Sequence, residues 1–386
     1  MSWNSVSSSR AGIASMIAAT YWLLAFTTTA SAFETKAEQA ILIEHETGTV
    51  LLEKNADELM FPASMSKIMT AYMAFEQLAA GTLSMEDVLP ISERAWRMGG
   101  SKMFVEVGKE VSVADLLRGI IVQSGNDASI VIAESLAGSE EAFAEQMTER
   151  GRELGLQDTV FRNATGWPDP DHVTTARDLA ILAGRIIDDF PDYYTMFKEK
   201  TFTFNNIRQG NRNPLLYKSV GADGLKTGHT NASGYGLTAS ATRNDRRLIL
   251  VLNGLDSVNE RSQEAERLLR WGFREFENYP LFTAGETVEN ADVWLGDHGN
   301  LPLVLDEDLT ITLPRKARQK MRVAVVYDGP ISAPVAKGTE IGKLVVTAPD
   351  IEPIERPLLA GADVAQLGLF GRMVSAVSYL VFGAPT

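Results

Sequence analysis

The sequence predicts an α+β fold in two parts followed by a terminal helix, and three observations carry that reading. Up to about residue 278, short apolar runs alternate with long stretches of helical periodicity. Beyond Asn278 the helical pattern gives way to short β-like runs bounded by turns. From Val364 to Phe382 apolar residues again recur at helical spacing. A chain of 386 residues, 45% hydrophobic and 22% charged, has the length for about two domains and the composition for a substantial core.

From Ala11 to Phe33 there is no charged residue, Arg10 lies just before, and the stretch ends in Ala30-Ser31-Ala32, the small-x-small form of a signal-peptidase site. Residues 1–32 are therefore expected to be a secretory signal. An uncleaved anchor is the competing reading, disfavoured by the Thr-rich end and short apolar centre. Ala40–Ile43 reads as a strand. Met65, Ile68, Met69, Tyr72, Phe75 and Leu78 fall at helical spacing between Pro62 and Gly81, which predicts a buried helix. Leu116–Ile121 and Ile130–Leu136 predict two more, separated by the polar turn Ser124-Gly125-Asn126-Asp127. The runs Gly224–Gly228, Tyr235–Thr242 and Leu248–Asn253 predict an antiparallel meander, and Glu260–Glu277 a helix that closes the first domain.

The second domain is expected to be small and all-β, on the runs Thr310–Leu313, Arg322–Tyr327 and Leu344–Thr347 and the turns Asp328-Gly329-Pro330 and Lys337-Gly338-Thr339. The expected division is 1–32 signal, 33–278 first domain, 279–363 β domain and 364–386 amphipathic helix. In that helix Leu367, Phe370, Met373, Val374, Val377 and Val381 lie along one side, while the single charge, Arg372, lies off it. Breaks at Gly368, Gly371, Ser375 and Ser378 suit a helix lying in a membrane interface better than a spanning one.

A net charge of −14 argues against nucleic acid as a partner, because an acidic chain repels phosphates. The chain has no cysteine, and His45, His172, His229 and His298 are scattered, so neither a metal nor a cofactor is expected. The cluster Arg315, Lys316, Arg318, Lys320 and Arg322 reads as a solvated strand edge.

Ser64-Met65-Ser66-Lys67 places a hydroxyl and an amine one helical turn apart on the same side, at a helix N-terminus where free backbone N–H groups can meet a developing oxyanion. Alone the pattern is weak. Ser124-Gly125-Asn126 and Lys226-Thr227-Gly228 follow in order, each once, and the three together are specific. With Pro62-Ala63 before the first, Gln123 and Asp127-Ala128 around the second, His229-Thr230 after the third and Thr175–Ala180 between, the chain resembles the low-molecular-mass D-alanyl-D-alanine carboxypeptidases, peptidase family S11 of the penicillin-binding protein 5 type. The resemblance covers nearly the whole mature chain.

That resemblance implies a penicillin-recognising, β-lactamase-like serine domain, then the β domain and a membrane-surface helix, in a periplasmic enzyme held peripherally at the inner membrane. It implies removal of the terminal D-alanine from peptidoglycan stem pentapeptides through an acyl-enzyme, with β-lactams as inhibitors. Ser64 is then the nucleophile, Lys67 its base, and Ser124 the proton relay to the leaving amine. Asn126 holds the substrate backbone, Lys226, Thr227 and Gly228 the carboxylate end, and the N–H groups of Ser64 and His229 the oxyanion. A basic Lys67 requires a lowered pKa, expected from burial and the charge of Lys226. Arg247 is expected near the substrate carboxylate, though adjacent Arg246 points to the opposite face. A β-lactamase is the nearest rival, but Leu154–Lys198 contains no glutamate to activate the deacylating water. A non-catalytic wall-binding protein and an endopeptidase are further alternatives, opposed by the intact motifs and by the second domain.

Overall fold

The computed structural model describes residues 33–349 and 351–373. The expected signal segment and the stretch 374–386 of the expected terminal helix lie outside the described residues. Strands β1 (Gln39–Glu44) and β2 (Val50–Lys54) form a hairpin that leads into a 3₁₀ turn, Ala63–Ser66, and helix α1 (Lys67–Ala79). A helical layer follows, α2 (Glu93–Arg97), α3 (Val113–Gln123), α4 (Asn126–Ala137), α5 (Glu140–Glu153), α6 (Ala176–Asp189) and α7 (Pro191–Tyr194). Two short antiparallel pairs decorate it: β3 (Val88–Pro90) with β4 (Glu110–Ser112), on either side of α2, and the hairpin of β5 (Thr201–Phe204) with β6 (Ile207–Gly210).

The helix starts follow local chemistry. Ser112, Ser139, Thr175 and Ser257 each accept a hydrogen bond from the backbone N–H three residues on, the N-cap pattern. The cap at Ser112 is why α3 begins earlier than apolar periodicity alone placed it. Helix α1 has no side-chain cap; it grows out of the 3₁₀ turn that carries Ser64.

The predicted meander is present as β7 (Ala222–Thr230), β8 (Gly234–Arg243) and β9 (Arg246–Leu255), all antiparallel. With β1 and β2 they make one five-stranded sheet in the order β2-β1-β9-β8-β7, so β7 is an edge. Strand alternation sorts the residues between two faces. Ile41, Ile249 and Val251 join the core formed with α1, α3, α4 and α6. Leu42 and Leu248 turn instead to the last helix of the domain, α8 (Val258–Glu275), where Gly272 leaves them room.

Helix α8 ends at Glu275, two residues before the expected end, because Phe276 and Glu277 already pair with Pro314 and Leu313 as the start of β10 (Phe276–Phe282) against β13 (Leu309–Pro314). The remaining strands, β11 (Thr287–Trp294), β12 (Asn300–Val304), β14 (Arg322–Tyr327), β15 (Ile331–Ser332), β16 (Glu340–Thr347) and β17 (Ile354–Ala360), form a six-stranded sheet ordered β14-β16-β17-β12-β11-β15. The second domain has its own core of Leu301, Leu303, Ile311, Leu313, Leu344, Val346 and Leu358. It is tied to the first through Asn278, whose amide donates to Glu44 at 2.9 Å and Glu46 at 3.1 Å, and through Thr47 and Thr312, whose hydroxyls are 2.6 Å apart.

The terminal helix begins later than expected. Val364 and Gln366 make bridges to Val335 and Gly296, and Val364 is buried in the β-domain core. Helical backbone starts only at Leu369.

Phe75 anchors the helical layer: it is fully buried and meets Phe190, Tyr193 and Phe197 with ring centroids 5.3–6.4 Å apart. Phe75→Ala is expected to cost about 3–5 kcal/mol of unfolding free energy, read as a lowered urea midpoint; an unshifted midpoint would show that the aromatic cluster is not a stabilising contact.

Candidate active site

Three segments meet at Lys67. Its amine lies 3.1 Å from Ser64 Oγ and 2.7 Å from Asn126 Oδ1, and also donates to the carbonyl oxygen of Thr165. Lys67 is 1% exposed. Two of the three neighbours are carbonyl oxygens that can only accept, so a neutral amine spends its two protons on them. Its lone pair then faces the Ser64 hydroxyl. Burial above all, with the charge of Arg212 second, pulls the Lys67 ammonium down to about 7, against the opposing carboxylates of Asp127 and Glu140. Burial and then Arg212 lead at Lys67, while the expected repulsion between the two lysines is mutual and shows on Lys226.

Lys226 is equally buried on β7 and donates to Ser124 Oγ at 2.9 Å and to the Thr227 carbonyl at 3.1 Å. Burial lowers it well below the usual lysine range, with Lys67, Arg212 and Arg261 adding repulsion. Ser124 takes a left-handed conformation, φ 62°, at the end of α3, so α4 begins two residues later with Asn126 aimed back at Lys67. The Asn126 amide is fixed by donating to the Gly99 carbonyl at 2.9 Å. Beside it the Asp127 carboxylate accepts the N–H groups of Met103, Phe104 and Val105, which pins the loop in front of α3.

Close approach sets two glycines. A Cβ at Gly228 would lie 2.8 Å from the Pro62 carbonyl oxygen and 3.3 Å from Ala63 Cβ, so only glycine lets β7 run against the Ser64 turn. At Gly166, φ +73°, a Cβ would lie 1.8 Å from the Ala63 carbonyl oxygen. The loop Asn163–Trp167 around it is held by Asn163, whose amide oxygen accepts from the N–H groups of Thr165 and Trp167. Behind the turn, Ser66 donates to the Ala63 carbonyl at 2.9 Å and lies 2.9 Å from His172 Nε2, while His172 Nδ1 accepts from the Arg162 N–H. Those partners assign the neutral imidazole with its proton on Nε2.

Ser64, Ser124, Thr227, Gly228 and His229 line one cleft of about 460 Å³ together with Ser101, Arg212, Tyr235 and Arg261. The His229 imidazole is turned away, stacked on Tyr235 at 3.8 Å with Nδ1 3.0 Å from the Gly234 carbonyl oxygen. Arg247 is not in this cleft. It pairs with Asp223 at 2.9 Å, reaches Ser240, and lies over the Tyr194 ring. Arg246, on the opposite face as alternation requires, bonds the carbonyls of Phe276 and Gly272. Neither arginine of the pair lines the cleft with Ser64.

The cleft holds two arginines that the sequence reading missed. Arg212, next to the β5–β6 hairpin, donates to Ser101 Oγ. Arg261 is 5% exposed on α8, with the carbonyls of Gly228 and Gly236 at 3.3–3.4 Å, the Tyr235 ring 5.7 Å away and no carboxylate partner among the described residues. Burial pulls it down to about 10. A signal existed: Arg261 stands in register with the buried stripe Ala265, Leu268 and Gly272, where an amphipathic helix does not ordinarily place a guanidinium.

The D-alanyl-D-alanine carboxypeptidase family matches residues 26–257, more than half of the chain. The chain belongs to that family. The penicillin-binding protein 5 C-terminal domain matches residues 276–366. Among curated proteins the chain is 40% identical over 341 residues to D-alanyl-D-alanine carboxypeptidase DacC of Escherichia coli, covering 86% of this chain and 85% of that one. Among solved structures it is similar to penicillin-binding protein 5 of Haemophilus influenzae, with a TM-score of 0.78, 37% identity, and 86% and 98% of the two chains covered. Penicillin-binding protein D2 of Listeria monocytogenes, solved in an ampicillin-bound form, is similar to this carboxypeptidase-family chain at a TM-score of 0.58 and 29% identity, over 62% of this chain and 98% of its own.

Burial holds His172 down at about 4, against an ordinary value of 6.5. Between these values the unfolded chain binds more protons than the folded one, so acidification costs stability. Denaturant titrations from pH 7 to 4.5 are expected to show falling stability, with a shallower slope in His172→Gln. An identical slope would remove His172 as a source of acid lability.

Proposed function

We propose that the protein is a serine-type DD-carboxypeptidase that removes the terminal D-alanine from peptidoglycan stem peptides and is trapped by β-lactams. The observation that carries the reading is the Lys67 amine, buried between Asn126 and Thr165 with its remaining valence toward Ser64. Neutral Lys67 takes the hydroxyl proton as Ser64 Oγ attacks the carbonyl of the penultimate D-alanine. The N–H groups of Ser64 and His229 receive the oxyanion, whose donors are typically worth about 3–4 kcal/mol of barrier each. The proton taken by Lys67 is handed on through Ser124 to the departing D-alanine nitrogen, and water then hydrolyses the acyl-enzyme.

The edge position of β7 supports a substrate laid along it as an added strand. With Arg247 committed to Asp223, the free carboxylate of the substrate falls to Thr227, Arg212 and Arg261. A buried guanidinium without an acid partner is costly to leave unpaired, and a carboxylate-ended substrate relieves it. This favours a carboxypeptidase over an enzyme that cuts within a cross-link. The lack of a glutamate in Leu154–Lys198 favours slow deacylation of penicillin over β-lactamase turnover.

The same reading places the enzyme in the periplasm after export on residues 1–32, with a catalytic domain to residue 278, a β domain to residue 363, and a peripheral anchor on the inner membrane beyond it. Leu369, Phe370 and Met373 are 76%, 87% and 67% exposed at the start of that anchor. Among the described residues no helix is long and apolar enough to cross a membrane.

Two outcomes follow. Mass spectrometry of the penicillin-treated protein should place the adduct on Ser64, with acylation rising through an acid limb near pH 7 set by Lys67. An adduct elsewhere, or a flat profile, defeats the mechanism. Arg261→Ala should raise KM by about 10-fold or more for a peptide ending in free D-Ala-D-Ala but leave the poor turnover of its C-terminal amide nearly as it was; equal losses on both would deny Arg261 the carboxylate.

A further inference from the structure

The proposed reaction uses Arg261 for the substrate carboxylate and the His229 N–H for the oxyanion, and one side chain touches both residues. We propose that Tyr235 is a positioning residue, whose ring fixes the carboxylate-binding guanidinium relative to the oxyanion donor. The inference rests on the carboxypeptidase reading.

The ladder brings the three together. Tyr235, near the start of β8, stands opposite His229 of β7, and the neighbouring pair is Gly228 with Gly236. Side chains of directly opposed residues share a face of the sheet, and here phenol and imidazole stack with centroids 3.8 Å apart and planes 8° apart. Arg261 arrives from α8 and donates from one Nη to the carbonyls of both members of the glycine pair, while its guanidinium carbon lies 5.7 Å from the centre of the Tyr235 ring. All three side chains belong to residues of the Ser64 cleft.

Hydrogen bonds alone hold the guanidinium loosely. Both are long, at 3.3–3.4 Å, both leave from the same nitrogen, and Nε has no hydrogen-bond partner among the described residues. Two bonds from one corner leave the planar group free to swing about it. An aromatic face attracts the cation and limits that swing.

The ring is itself held. Thr230 and Ser233 staple the turn between β7 and β8: the Thr230 N–H donates to Ser233 Oγ at 2.9 Å and the Ser233 N–H to Thr230 Oγ1 at 3.0 Å. Gly234 follows at φ +63°, and its carbonyl oxygen accepts from His229 Nδ1 at 3.0 Å, so the imidazole is tied at its edge as well as stacked on its face. On the other side of Tyr235, a Cβ at Gly236 would lie 2.7 Å from Asn253 Oδ1 and from Met65 Cε. Met65 follows Ser64 in the 3₁₀ turn, so the strand that carries Tyr235 packs directly on the turn that carries the nucleophile. Both contacts of Tyr235 are made by its ring and neither by its hydroxyl. Phenylalanine should therefore serve in its place, and leucine, apolar but without a π face, should not.

The test uses the full-length protein and an acylated peptide ending in free D-Ala-D-Ala, with D-alanine release read as kcat and KM separately. Counting kcat per penicillin-titrated site removes any unfolded fraction from both constants. Tyr235→Leu should raise KM about 5-fold through Arg261 and lower kcat by about 3-fold or more through a displaced His229 N–H. Tyr235→Phe should restore both. In the double variant Tyr235→Leu/Arg261→Ala, KM should equal that of Arg261→Ala alone, because a guanidinium that is absent cannot be misplaced. An unchanged KM or kcat in Tyr235→Leu, a Tyr235→Phe enzyme as impaired as Tyr235→Leu, or KM increases that multiply in the double variant each overturn the positioning role, while release by the unsubstituted enzyme leaves the carboxypeptidase reading standing. No release by the unsubstituted enzyme removes that reading and the role of Tyr235 with it.

Discussion

Everything at this site depends on keeping one lysine amine out of water. An exposed ammonium beside Ser64 would be protonated at neutral pH and useless as a base. Burying it is costly unless its protons find acceptors, and the fold brings two from distant segments, Asn126 from the head of α4 and Thr165 from the loop before α6. Each acceptor is itself held, Asn126 by Gly99 and the Thr165 loop by Asn163. Trp167 closes the ring, since it leaves that loop and packs on Gly99 and Gly100. A shift in any of these segments alters both the geometry of the base and its proton affinity.

The second constraint is proximity between a helix start and a strand edge. Ser64 must stand clear of α1 yet within reach of β7, and the 3₁₀ turn Ala63–Ser66 provides the first while Gly228 and Gly166 permit the second. An edge strand is ordinarily a liability, because its unpaired N–H and C=O groups recruit other chains. In the proposed reaction the free edge of β7 receives an extended peptide by backbone pairing. The five-stranded order, with β7 outermost, is thus a functional arrangement as much as a packing one.

The sequence carried the chemistry where it is contiguous and hid it where it is assembled. Ser64 and Lys67, Ser124 and Asn126, and Lys226 and Thr227 sit in short runs whose spacing encodes their mutual direction, and the structure brings all of them to one place. The meander was legible as short apolar runs punctuated by turns, and strand alternation correctly separated Arg246 from Arg247. It did not say which face held the site, and both faces proved to use their arginine elsewhere, Arg247 on Asp223 and Arg246 on backbone carbonyls. Arg212 and Arg261 are single residues, 49 positions apart, with no motif around them; only tertiary folding makes them neighbours of Ser64. Helix ends were misplaced where caps or strand pairing overruled periodicity, at Ser112, Glu275 and Val364.

The charge pattern joins these points. The chain as a whole is acidic, at −14, yet the cleft is lined by Arg212 and Arg261 and backed by Lys67 and Lys226 behind Ser64 and Ser124, with no carboxylate among its described lining residues. Such a cleft repels protons from its own lysines, which is what the nucleophile requires, and attracts an anionic peptide end, which is what specificity requires. The two demands are compatible because they apply at different times. Without substrate, burial first and the neighbouring cations second lower the proton affinity of both lysine amines. In the proposed reaction an entering carboxylate beside Arg212 would offset the charge that helps to lower Lys67, so that the amine gains proton affinity when it takes the proton from Ser64. Arg261, held by two backbone carbonyls without an acid partner, is a group that a stability argument would count against the fold and that the proposed reaction assigns to the substrate carboxylate.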